Sequence, residues 1–399
     1  MTVFDPHRVR ADFPALSTAG PVWLDSAASS LKLRTVIETV TDWYSGWCGP
    51  VGRSIHEAGE AATLALAEAR RTLATYVGAD DPEEIIFVGG TTAGINLFAR
   101  VWDDAGNGRI VSSLLEHHSN LLPWRERAVV RGQGMDLIGL DGRGAIDMSA
   151  LARALERPAG CVALSLRSNV TGAVLDCARA AELAHQAGAI LFVDAAQEAA
   201  RGPLDLARSG ADAAAFSSHK MHGPTGSGVL WVRRELMERM ANGDTGGGMA
   251  LQVDRDGQTW RSGPARFEAG TPHVAGILGM ARAADWLACL GRGTITAHED
   301  ALGHWLHAAL GGIEGVQLHS SGGGVVSFTI DGWHPHDAAE ALDRAGFALR
   351  AGTLCAQPCM AALGVPALLR ASLAVHTTPE ECALFADAVR ALAAEGSGW

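Results

Sequence analysis

Between about residues 64 and 232, short apolar runs alternate with longer segments of helical period, and this alternation strongly constrains the fold. Strands separated by helices need crossover connections, which place the strands parallel in one sheet and the helices on both of its faces. Polar residues then collect at the carboxyl ends of the strands, where open α/β sheets bind their ligands. The predicted strands are Glu84–Val88, Arg109–Ser113, Cys161–Leu166, Ala189–Asp194 and Ala213–Ser217.

The pattern changes near residue 281, where a long helical stretch over Ala281–Leu310 begins. Shorter strands and helices follow it. The predicted strands are Gly324–Asp331, Ala348–Arg350 and Leu368–Val375, and the predicted helices are His336–Ala345 and Glu380–Ala394. We therefore expect an α/β protein with a large domain over residues 21–280, built on a mostly parallel sheet flanked by helices. Residues 1–20 and 281–399 are expected to form a smaller α+β domain.

Composition and charge exclude several classes of function. The formal net charge is −12 and no block of basic residues occurs, so we expect no binding to nucleic acid. The longest apolar stretches have fewer than about 10 residues, which is too short to cross a bilayer. Residues 1–19 carry Asp5, Asp12 and Pro14 without an apolar core, so we expect no signal peptide and a cytoplasmic protein.

The seven cysteines are odd in number, scattered and without the spacing of a zinc site. This distribution argues against a disulfide framework and is typical of a reducing compartment. We expect no metal site, and we expect most of these thiols to be small buried apolar groups.

Two polar segments point to pyridoxal phosphate. The apolar run Ile190–Val193 ends in Asp194, and the segment Ser217-Ser218-His219-Lys220 follows about 25 residues later. A lysine can bind the aldehyde of this cofactor covalently, and an aspartate at a strand end can pair with its protonated pyridine nitrogen. Because the cofactor supplies an electron sink, the pair indicates an enzyme of amino-acid chemistry.

Further candidates follow other predicted strands. Gly89 and Gly90 precede a helix that starts at Thr91, and such a turn suits a phosphate, although glycine turns before capped helices are also common. A hydroxyl of Ser217 can add a hydrogen bond to the phosphate. His117 can stack on the pyridine ring and handle protons, although a histidine here is equally compatible with a surface position.

Four more residues have both a functional and a structural interpretation. Asn169 and Gln197 follow strands and can bind the phenolic oxygen of the cofactor, or they can form turns. Arg370 lies in an apolar run, where it can bind a substrate carboxylate or form a structural ion pair. Cys355 lies in a loop flanked by glycine and proline, where it is a candidate nucleophile or an inert thiol.

Together these segments resemble the class V, fold type I family of pyridoxal phosphate enzymes. Within it, they resemble the branch of cysteine desulfurases and selenocysteine lyases that includes cysteine sulfinate desulfinases. The resemblance runs from Phe13-Pro14-Ala15-Leu16 to Arg370-Ala371-Ser372. Its main motifs are Gly90-Thr91-Thr92, Glu116-His117-His118, Ser168-Asn169-Val170, Val193–Gln197, Ser217–Lys220, Arg266–Pro272 and Arg350–Ala356.

The resemblance implies a role for each residue of the cofactor site. Lys220 binds the cofactor covalently and moves protons, Asp194 holds the pyridinium, and His117 stacks on the ring. The other implied contacts are Asn169 and Gln197 at the phenolic oxygen, Thr92, Ser217 and His219 at the phosphate, and Thr271 reaching the phosphate from the partner subunit of a homodimer.

The resemblance also implies how an amino-acid substrate is bound and cleaved. Arg370 grips the substrate carboxylate, and Arg350 and Arg53 contribute to substrate binding. Cys355 attacks the substrate sulfur, becomes a persulfide and leaves L-alanine. The sulfur then passes to an acceptor protein for iron–sulfur or other thio-cofactor assembly.

Several positions differ from the family pattern and leave a second enzyme class open. The departures are Gly52 for histidine, Gly89 for arginine, Ala93 for glutamate, Leu354 for histidine and His376-Thr377 for tyrosine-asparagine. They surround the expected place of the substrate sulfur and of the acceptor. The alternative is a pyridoxal phosphate-dependent β-lyase acting on cysteine sulfinate, selenocysteine or a specialised sulfur metabolite.

Two further alternatives fit the residues less well. Transaminase or epimerase chemistry would leave Cys355 without a role. A sulfur-assembly partner that binds without turnover would not need Lys220.

Overall fold

The computed structural model describes residues 4–46, 48–52, 54–103 and 108–396. The helices are α1 (Pro6–Arg10), α2 (Arg34–Ser45), α3 (Glu57–Val77), α4 (Thr91–Val101), α5 (Leu122–Arg131), α6 (Met148–Ala154), α7 (Cys177–Gln186), α8 (Arg234–Arg239), α9 (Val274–Leu290), α10 (Arg292–Gly311), α11 (Pro335–Arg344), α12 (Gln357–Leu363) and α13 (Pro379–Glu395). The strands are β1 (Val22–Trp23), β2 (Ile85–Val88), β3 (Ile110–Ser113), β4 (Met135–Ile138), β5 (Cys161–Ser165), β6 (Ile190–Asp194), β7 (Ala213–Ser217), β8 (Gly228–Val232), β9 (Ala250–Val253), β10 (Gln258–Trp260), β11 (Val316–Leu318), β12 (Val325–Ile330), β13 (Phe347–Ala348), β14 (Arg350–Gly352) and β15 (Leu368–Ser372).

The larger sheet has seven strands in the order β2-β8-β7-β6-β5-β3-β4. Strands β4, β3, β5, β6 and β7 are parallel to one another, and β8 runs antiparallel to both of its neighbours, β7 and β2. Strands β5 and β7 are buried along their whole length, because helices cover both faces of the sheet. The predicted α/β fold with a mostly parallel sheet is confirmed.

The five strands predicted in the first half of the chain all occur, each within one residue of its predicted ends. The continuous helix predicted over Ala281–Leu310 is wrong. Two helices, α9 and α10, meet there at an angle of 79°. Gly291 joins them with a φ of 81°, a left-handed conformation that a glycine adopts without the steric cost of a side chain.

A second sheet of four antiparallel strands, in the order β11-β12-β15-β14, has its own core. Leu306, Phe328 and Phe385 are among the buried residues of this core. Strand β1 joins the same region by pairing parallel with β13. Residue 280 lies inside helix α9, and the predicted division into two domains at that point stays a prediction.

A buried ionic network ties α10 to the segment that follows β6. Arg201 contacts Glu299 and Asp300 at 2.9 Å each, and its side chain is 4% exposed. Close by, Arg167 pairs with Glu198 at 2.5 Å. The contacts of Arg201 therefore link α10 to the segment after β6, and removing one partner would leave an uncompensated buried charge.

Among the described residues, no single helix is both long and apolar enough to cross a membrane. The bent pair α9–α10 meets these two criteria only when its helices are taken together.

Two histidines are buried in an aromatic cluster beneath the larger sheet. Phe13 lies with its ring centroid 5.0 Å from that of His222 and 5.0 Å from that of His376. Burial lowers the pKa of His222 to about 4 and lowers the pKa of His376 well below its usual range. The backbone of His222 is left-handed, with a φ of 67°, and its Nδ1 lies 3.0 Å from the carbonyl oxygen of Leu31.

These histidines should make the protein sensitive to acid. The unfolded chain binds more protons than the folded one between about pH 6.5 and pH 4, so stability is retained above this window and falls as the pH decreases through it. We expect His222→Asn to remove part of this dependence, since asparagine tolerates a positive φ and keeps an N–H donor.

Urea unfolding of the purified protein at about pH 7.5 and about pH 5 measures the effect. The wild-type chain should lose on the order of 2 kcal/mol more than His222→Asn over that range. Equal losses in the two proteins would show that His222 is not held neutral by the fold.

Candidate active site

A cavity of about 330 Å³ opens at the carboxyl ends of β5, β6 and β7. Its position is the one expected for ligands of an open α/β sheet. The structure brings together in its lining most of the residues singled out from the sequence, namely Thr92, His117, Asn169, Asp194, Gln197, Ser217, His219, Lys220, Arg350, Cys355 and Arg370.

Two residues expected at the site are not in this lining. Thr271 is exposed in the segment before α9, and its expected contribution from a partner subunit stays a prediction. Arg53 lies outside the described residues, so its expected contact with substrate also stays a prediction.

Lys220 ends a single helical turn, Ser218–Lys220, directly after β7. The carbonyl oxygen before it, on His219, accepts hydrogen bonds from Ser30 N–H at 3.0 Å, Ser30 Oγ at 3.0 Å and Lys32 Nζ at 2.8 Å. These bonds fix the backbone from which the lysine extends. Burial lowers the pKa of Lys220, and the carboxylate of Asp194 acts against that shift. Lys220 is therefore easier to deprotonate than an exposed lysine, as a nucleophilic amine requires.

Asp194 is buried at the end of β6, and one of its oxygens is committed to the protein. Oδ1 accepts a hydrogen bond from Ala196 N–H at 2.9 Å. Burial raises the pKa of Asp194, and the charge of Lys220 lowers it. The carboxylate also lines the cavity, so its second oxygen can accept a hydrogen bond from a protonated group of a ligand there.

The start of helix α4 and the end of β7 form a cradle of hydroxyl and amide groups. Gly90 has a φ of 146°, and a side chain there would place its Cβ 3.1 Å from the hydroxyl of Ser217. Thr91 N–H donates to the Ser217 hydroxyl at 2.7 Å, and the hydroxyls of Thr92 and Ser119 lie 2.7 Å apart. Free amides and the positive end of the helix dipole suit a phosphate at this position.

His117 lies over the cavity as a neutral ring. Its Nδ1 accepts a hydrogen bond from Ser119 N–H at 3.0 Å, so the ring proton is on Nε2. Burial, together with the nearby charges of Lys220, His118 and Arg370, lowers the pKa of His117 to about 4. A neutral imidazole in this place can stack on a flat ligand without repelling the neighbouring cations.

The amide side chains of Gln197 and Asn169 each use one donor within the protein. Gln197 Nε2 donates to the carbonyl oxygen of Ala27 at 2.9 Å, and Asn169 Nδ2 donates to that of Leu354 at 2.9 Å. A primary amide has two N–H donors, so each keeps one for a ligand in the cavity.

Arg350 and Arg370 share a single carboxylate, that of Asp25. Arg350 Nη2 contacts Asp25 Oδ2 at 2.7 Å, and Arg370 Nη2 contacts Asp25 Oδ1 at 3.1 Å. Arg370 is 3% exposed, and its Nε has no hydrogen-bond partner within the described parts of the chain. Two cations with one anion leave a net positive charge at the cavity, which suits a carboxylate ligand.

Cys355 lies on the short loop between β14 and α12, where its thiol is exposed and borders the cavity. Leu354 and Cys355 both have a φ of 53°, in the left-handed region. Such a conformation costs a residue other than glycine about 1 kcal/mol or more, so the surrounding contacts must enforce it. The loop therefore holds the thiol beside the same cavity as Lys220 and Arg370.

A buried carboxyl group lies behind the cavity wall. Glu116 accepts hydrogen bonds from Ser113 Oγ at 2.6 Å, Asn120 Nδ2 at 2.7 Å and Ser165 Oγ at 2.5 Å. Burial raises the pKa of Glu116 to about 7, and these three donors act against that shift. The network fixes the backbone that leads into His117.

Sequence reasoning missed three residues that the structure places at the cavity or beside it. Asp25 joins the two arginines from a distant part of the chain, Ser119 binds Thr92 and His117, and Arg167 lines the wall. Ser119 follows the histidine pair directly, a proximity that marks it as a candidate. Asp25 carries no local signal, because its partners lie more than 300 positions away.

The donor set of the cavity fits pyridoxal phosphate. Lys220 offers an amine, Asp194 a free carboxylate oxygen, and the α4 cradle offers hydroxyl and amide donors for a phosphate. Within the described ranges, no three or more His, Cys, Asp or Glu side chains come together to hold a metal ion.

Comparison with known families and relatives agrees with this geometry. The family model for class V aminotransferases matches residues 22–385. A cysteine desulfurase of Klebsiella pneumoniae subsp. pneumoniae is 38% identical over 388 residues, covering 95% of this chain and 96% of the relative.

Two solved structures have the same fold over nearly their whole length. The cysteine desulfurase CsdA of Escherichia coli, crystallised in an S-sulfonic acid form, superposes with a TM-score of 0.92 at 37% identity. The apo cysteine desulfurase of Thermococcus onnurineus NA1 superposes with a TM-score of 0.93 at 33% identity. In both pairs the match covers 99% of each chain.

The carboxylate shared by the two arginines should be important for stability. We expect Asp25→Asn to lower the free energy of unfolding by about 3 kcal/mol, because it leaves Arg370 buried without an anion. The matched control is Asp387→Asn, which removes the partner of an exposed pair with Arg390 and should change stability by less than about 0.5 kcal/mol. Denaturant titration of both variants measures the difference, and equal small effects would contradict the assigned role of Asp25.

Proposed function

The chain belongs to the class V aminotransferase family, and we propose that it is a pyridoxal phosphate-dependent cysteine desulfurase that releases L-alanine and keeps the sulfur on Cys355. The observation that carries this proposal is that three groups line one cavity. They are the amine of Lys220, the guanidinium of Arg370, which can bind a carboxylate, and the thiol of Cys355. The reaction requires cofactor attachment, binding of the substrate carboxylate and capture of the sulfur, and each group meets one of these requirements.

The residues that would hold the cofactor surround Lys220. Asp194 would accept a hydrogen bond from the ring nitrogen and keep it protonated, and His117 would lie against the ring. The remaining contacts would come from Asn169 and Gln197 at the phenolic oxygen and from Thr92, Ser217 and His219 at the phosphate. When bound there, pyridoxal phosphate withdraws electrons from an amino-acid substrate and weakens the bond to its sulfur.

The proton chemistry falls to Lys220. Its amine is set between a buried carboxylate and a buried guanidinium, those of Asp194 and Arg370, whose opposite effects on its pKa partly cancel. The lowered pKa suits a group that gives and takes a proton near neutral pH. His117 stays neutral beside it, because burial and the neighbouring cations keep its pKa low.

Arg370 is the proposed site of the substrate carboxylate, with Arg350 beside it. Asp25 already neutralises one positive charge of the pair, so a bound carboxylate would neutralise the second. The Nε of Arg370 has no partner among the described residues and is a donor that a ligand could use. Cys355 lines the same cavity, so the side chain of a substrate bound at Arg370 would be within the space that the thiol borders.

Cys355 is the proposed acceptor of the sulfur. The bond between the substrate β-carbon and sulfur breaks, and a bond between that sulfur and the thiol of Cys355 forms. L-cysteine and the thiol give L-alanine and a persulfide, so the step balances without an outside oxidant. The exposed position of Cys355 leaves the persulfide accessible to a second protein.

A second substrate class is favoured by one observation. Leu354 and Thr353 offer no imidazole beside Cys355, and the side chain of Leu354 is 8% exposed. Cleavage of cysteine sulfinate or selenocysteine depends less on capture by a thiol, because those leaving groups depart unaided. The alternative function is therefore β-cleavage of such substrates at the same cavity.

We further propose the setting in which the enzyme works. A homodimer would bring Thr271 of a second subunit to the phosphate, which fits the exposed position of Thr271 in its own chain. The persulfide would pass to an acceptor protein for iron–sulfur or other thio-cofactor assembly in the cytoplasm. The seven scattered cysteines, none of which forms a disulfide within the described parts of the chain, support a reducing compartment.

The role of Cys355 is tested by alanine release from L-cysteine, L-selenocysteine and L-cysteine sulfinate. With Cys355→Ala, turnover of L-cysteine should fall by more than about 100-fold, while the other two substrates keep rates within about threefold of wild type. The control is Cys289→Ala, an exposed thiol on α9 that does not line the cavity.

Two outcomes would contradict the desulfurase proposal. One is unchanged turnover of L-cysteine by Cys355→Ala. The other is a wild-type enzyme that hardly uses L-cysteine but cleaves the other two substrates, which would select the β-lyase alternative.

The role of Arg370 is tested by Arg370→Lys, which keeps the charge beside Asp25 but loses the forked donor geometry. We expect KM for the amino-acid substrate to rise by about 10- to 100-fold, with a smaller change in kcat. Arg344→Lys, in an exposed pair on α11, is the control and should leave both constants unchanged. A normal KM in Arg370→Lys would move the carboxylate site elsewhere.

A further inference from the structure

The tip of the cysteine loop has an unusual backbone. Among the described residues, only three that are not glycine have a positive φ, and two of them are the consecutive pair Leu354 and Cys355. The third is His222, outside this loop. Two adjacent left-handed residues with side chains revert to ordinary conformations unless other contacts hold them.

The side chain of Leu354 supplies one such contact. It is 8% exposed and belongs to the core packed on the larger sheet. The strands that bracket the loop, β14 and β15, belong instead to the smaller sheet. Leu354 therefore attaches a loop of the second sheet to the core of the first, and it also forms part of the cavity wall.

Hydrogen bonds to the loop carbonyls supply the other contacts. Asn169 Nδ2 donates to the carbonyl oxygen of Leu354 at 2.9 Å, and His118 N–H donates to that of Cys355 at 2.7 Å. The carbonyl oxygen of Asn169 in turn accepts from Arg370 Nη1 at 3.0 Å. Asn169, one of the two donors to the loop, is thus held by a residue that lines the cavity.

From these contacts we propose that Leu354 is a positioning residue that holds the thiol of Cys355 over the cavity. Its buried side chain, with the bonds from Asn169 and His118, enforces the left-handed pair and thereby sets the direction of the Cys355 side chain. A change of Leu354 or Cys355 to an extended or right-handed conformation would turn that side chain away. The inference rests on the proposed role of Cys355 as sulfur acceptor, and it adds which residue sets the position of the thiol.

The experiment compares Leu354→Ala, Leu354→Met and Leu363→Ala with the wild-type holoenzyme. Alanine removes the anchor, and methionine keeps an apolar side chain of similar volume. Leu363 is the matched control, because it is a half-buried leucine of α12 that packs on the same core but lies in regular helix.

The first readout is amide hydrogen exchange, which does not depend on activity. The amides of His118 and Ala356 are bonded to the carbonyl oxygens of Cys355 and Thr353. In Leu354→Ala their exchange should accelerate by about tenfold or more, because the loop opens locally. Exchange in Leu354→Met and Leu363→Ala should stay within about threefold of wild type.

The second readout is the division of the kinetic effect between kcat and KM. In Leu354→Ala, kcat for alanine release from L-cysteine should fall about tenfold or more, because the thiol is misplaced. KM should change by less than about twofold, since the carboxylate grip of Arg370 is retained. Leu354→Met should restore kcat to within about threefold of wild type.

Two outcomes would overturn the inference. One is wild-type exchange and wild-type kcat in Leu354→Ala, and the other is an equal effect of Leu363→Ala, which would indicate general loosening. If the wild type does not release alanine from L-cysteine, the proposed function fails. The exchange experiment would then still test separately whether Leu354 anchors the loop.

Discussion

The site depends on the parallel pairing of β6 with β7, because this pairing brings a buried acid and a buried amine to one edge of the sheet. Asp194 pairs in register with Ala215, five residues before Lys220. Burying the charged form of either group alone costs free energy, and burial therefore raises the pKa of the acid and lowers that of the lysine. Each reduces the cost of burying the other, and a cofactor with a positive ring nitrogen and an aldehyde can engage both.

The second sheet carries the two arginines and the cysteine loop that border the cavity. Arg350 and Arg370 lie on β14 and β15, paired directly across the ladder, and both reach the carboxylate of Asp25. The cysteine loop leaves β14 and returns to the core of the larger sheet through Leu354. Under the proposed function, the smaller sheet and its neighbouring segments would bind the substrate and capture the sulfur, and the larger sheet would attach the cofactor.

Much of the fold and of the cofactor site could be predicted from the sequence because the signals are local. Asp194 ends an apolar run, and Lys220 follows the next predicted strand within a few residues. The role of Asp25 could not be predicted, because its partners are 325 and 345 positions away and nothing in the residues around it marks the contact. The bend at Gly291 was missed because the helical period continues across it.

The cysteine loop shows a different limit of prediction. The sequence marks Cys355 as a candidate through its glycine and proline neighbours, but a left-handed leucine and cysteine have no sequence signature. Their conformation is imposed by tertiary contacts, from Asn169, His118 and the core around Leu354. One departure from the family pattern, Leu354, therefore lies where local rules give the least guidance.

The proposed reaction leaves the sulfur of L-cysteine on Cys355, and peptide mass spectrometry after incubation with L-cysteine detects it there. The holoenzyme is mixed with L-cysteine without reductant, alkylated and digested. We expect one added sulfur atom on the peptide that contains Cys355, absent when the cofactor is removed. An unmodified Cys355 peptide while alanine is released, or sulfur added only at another cysteine, would contradict it.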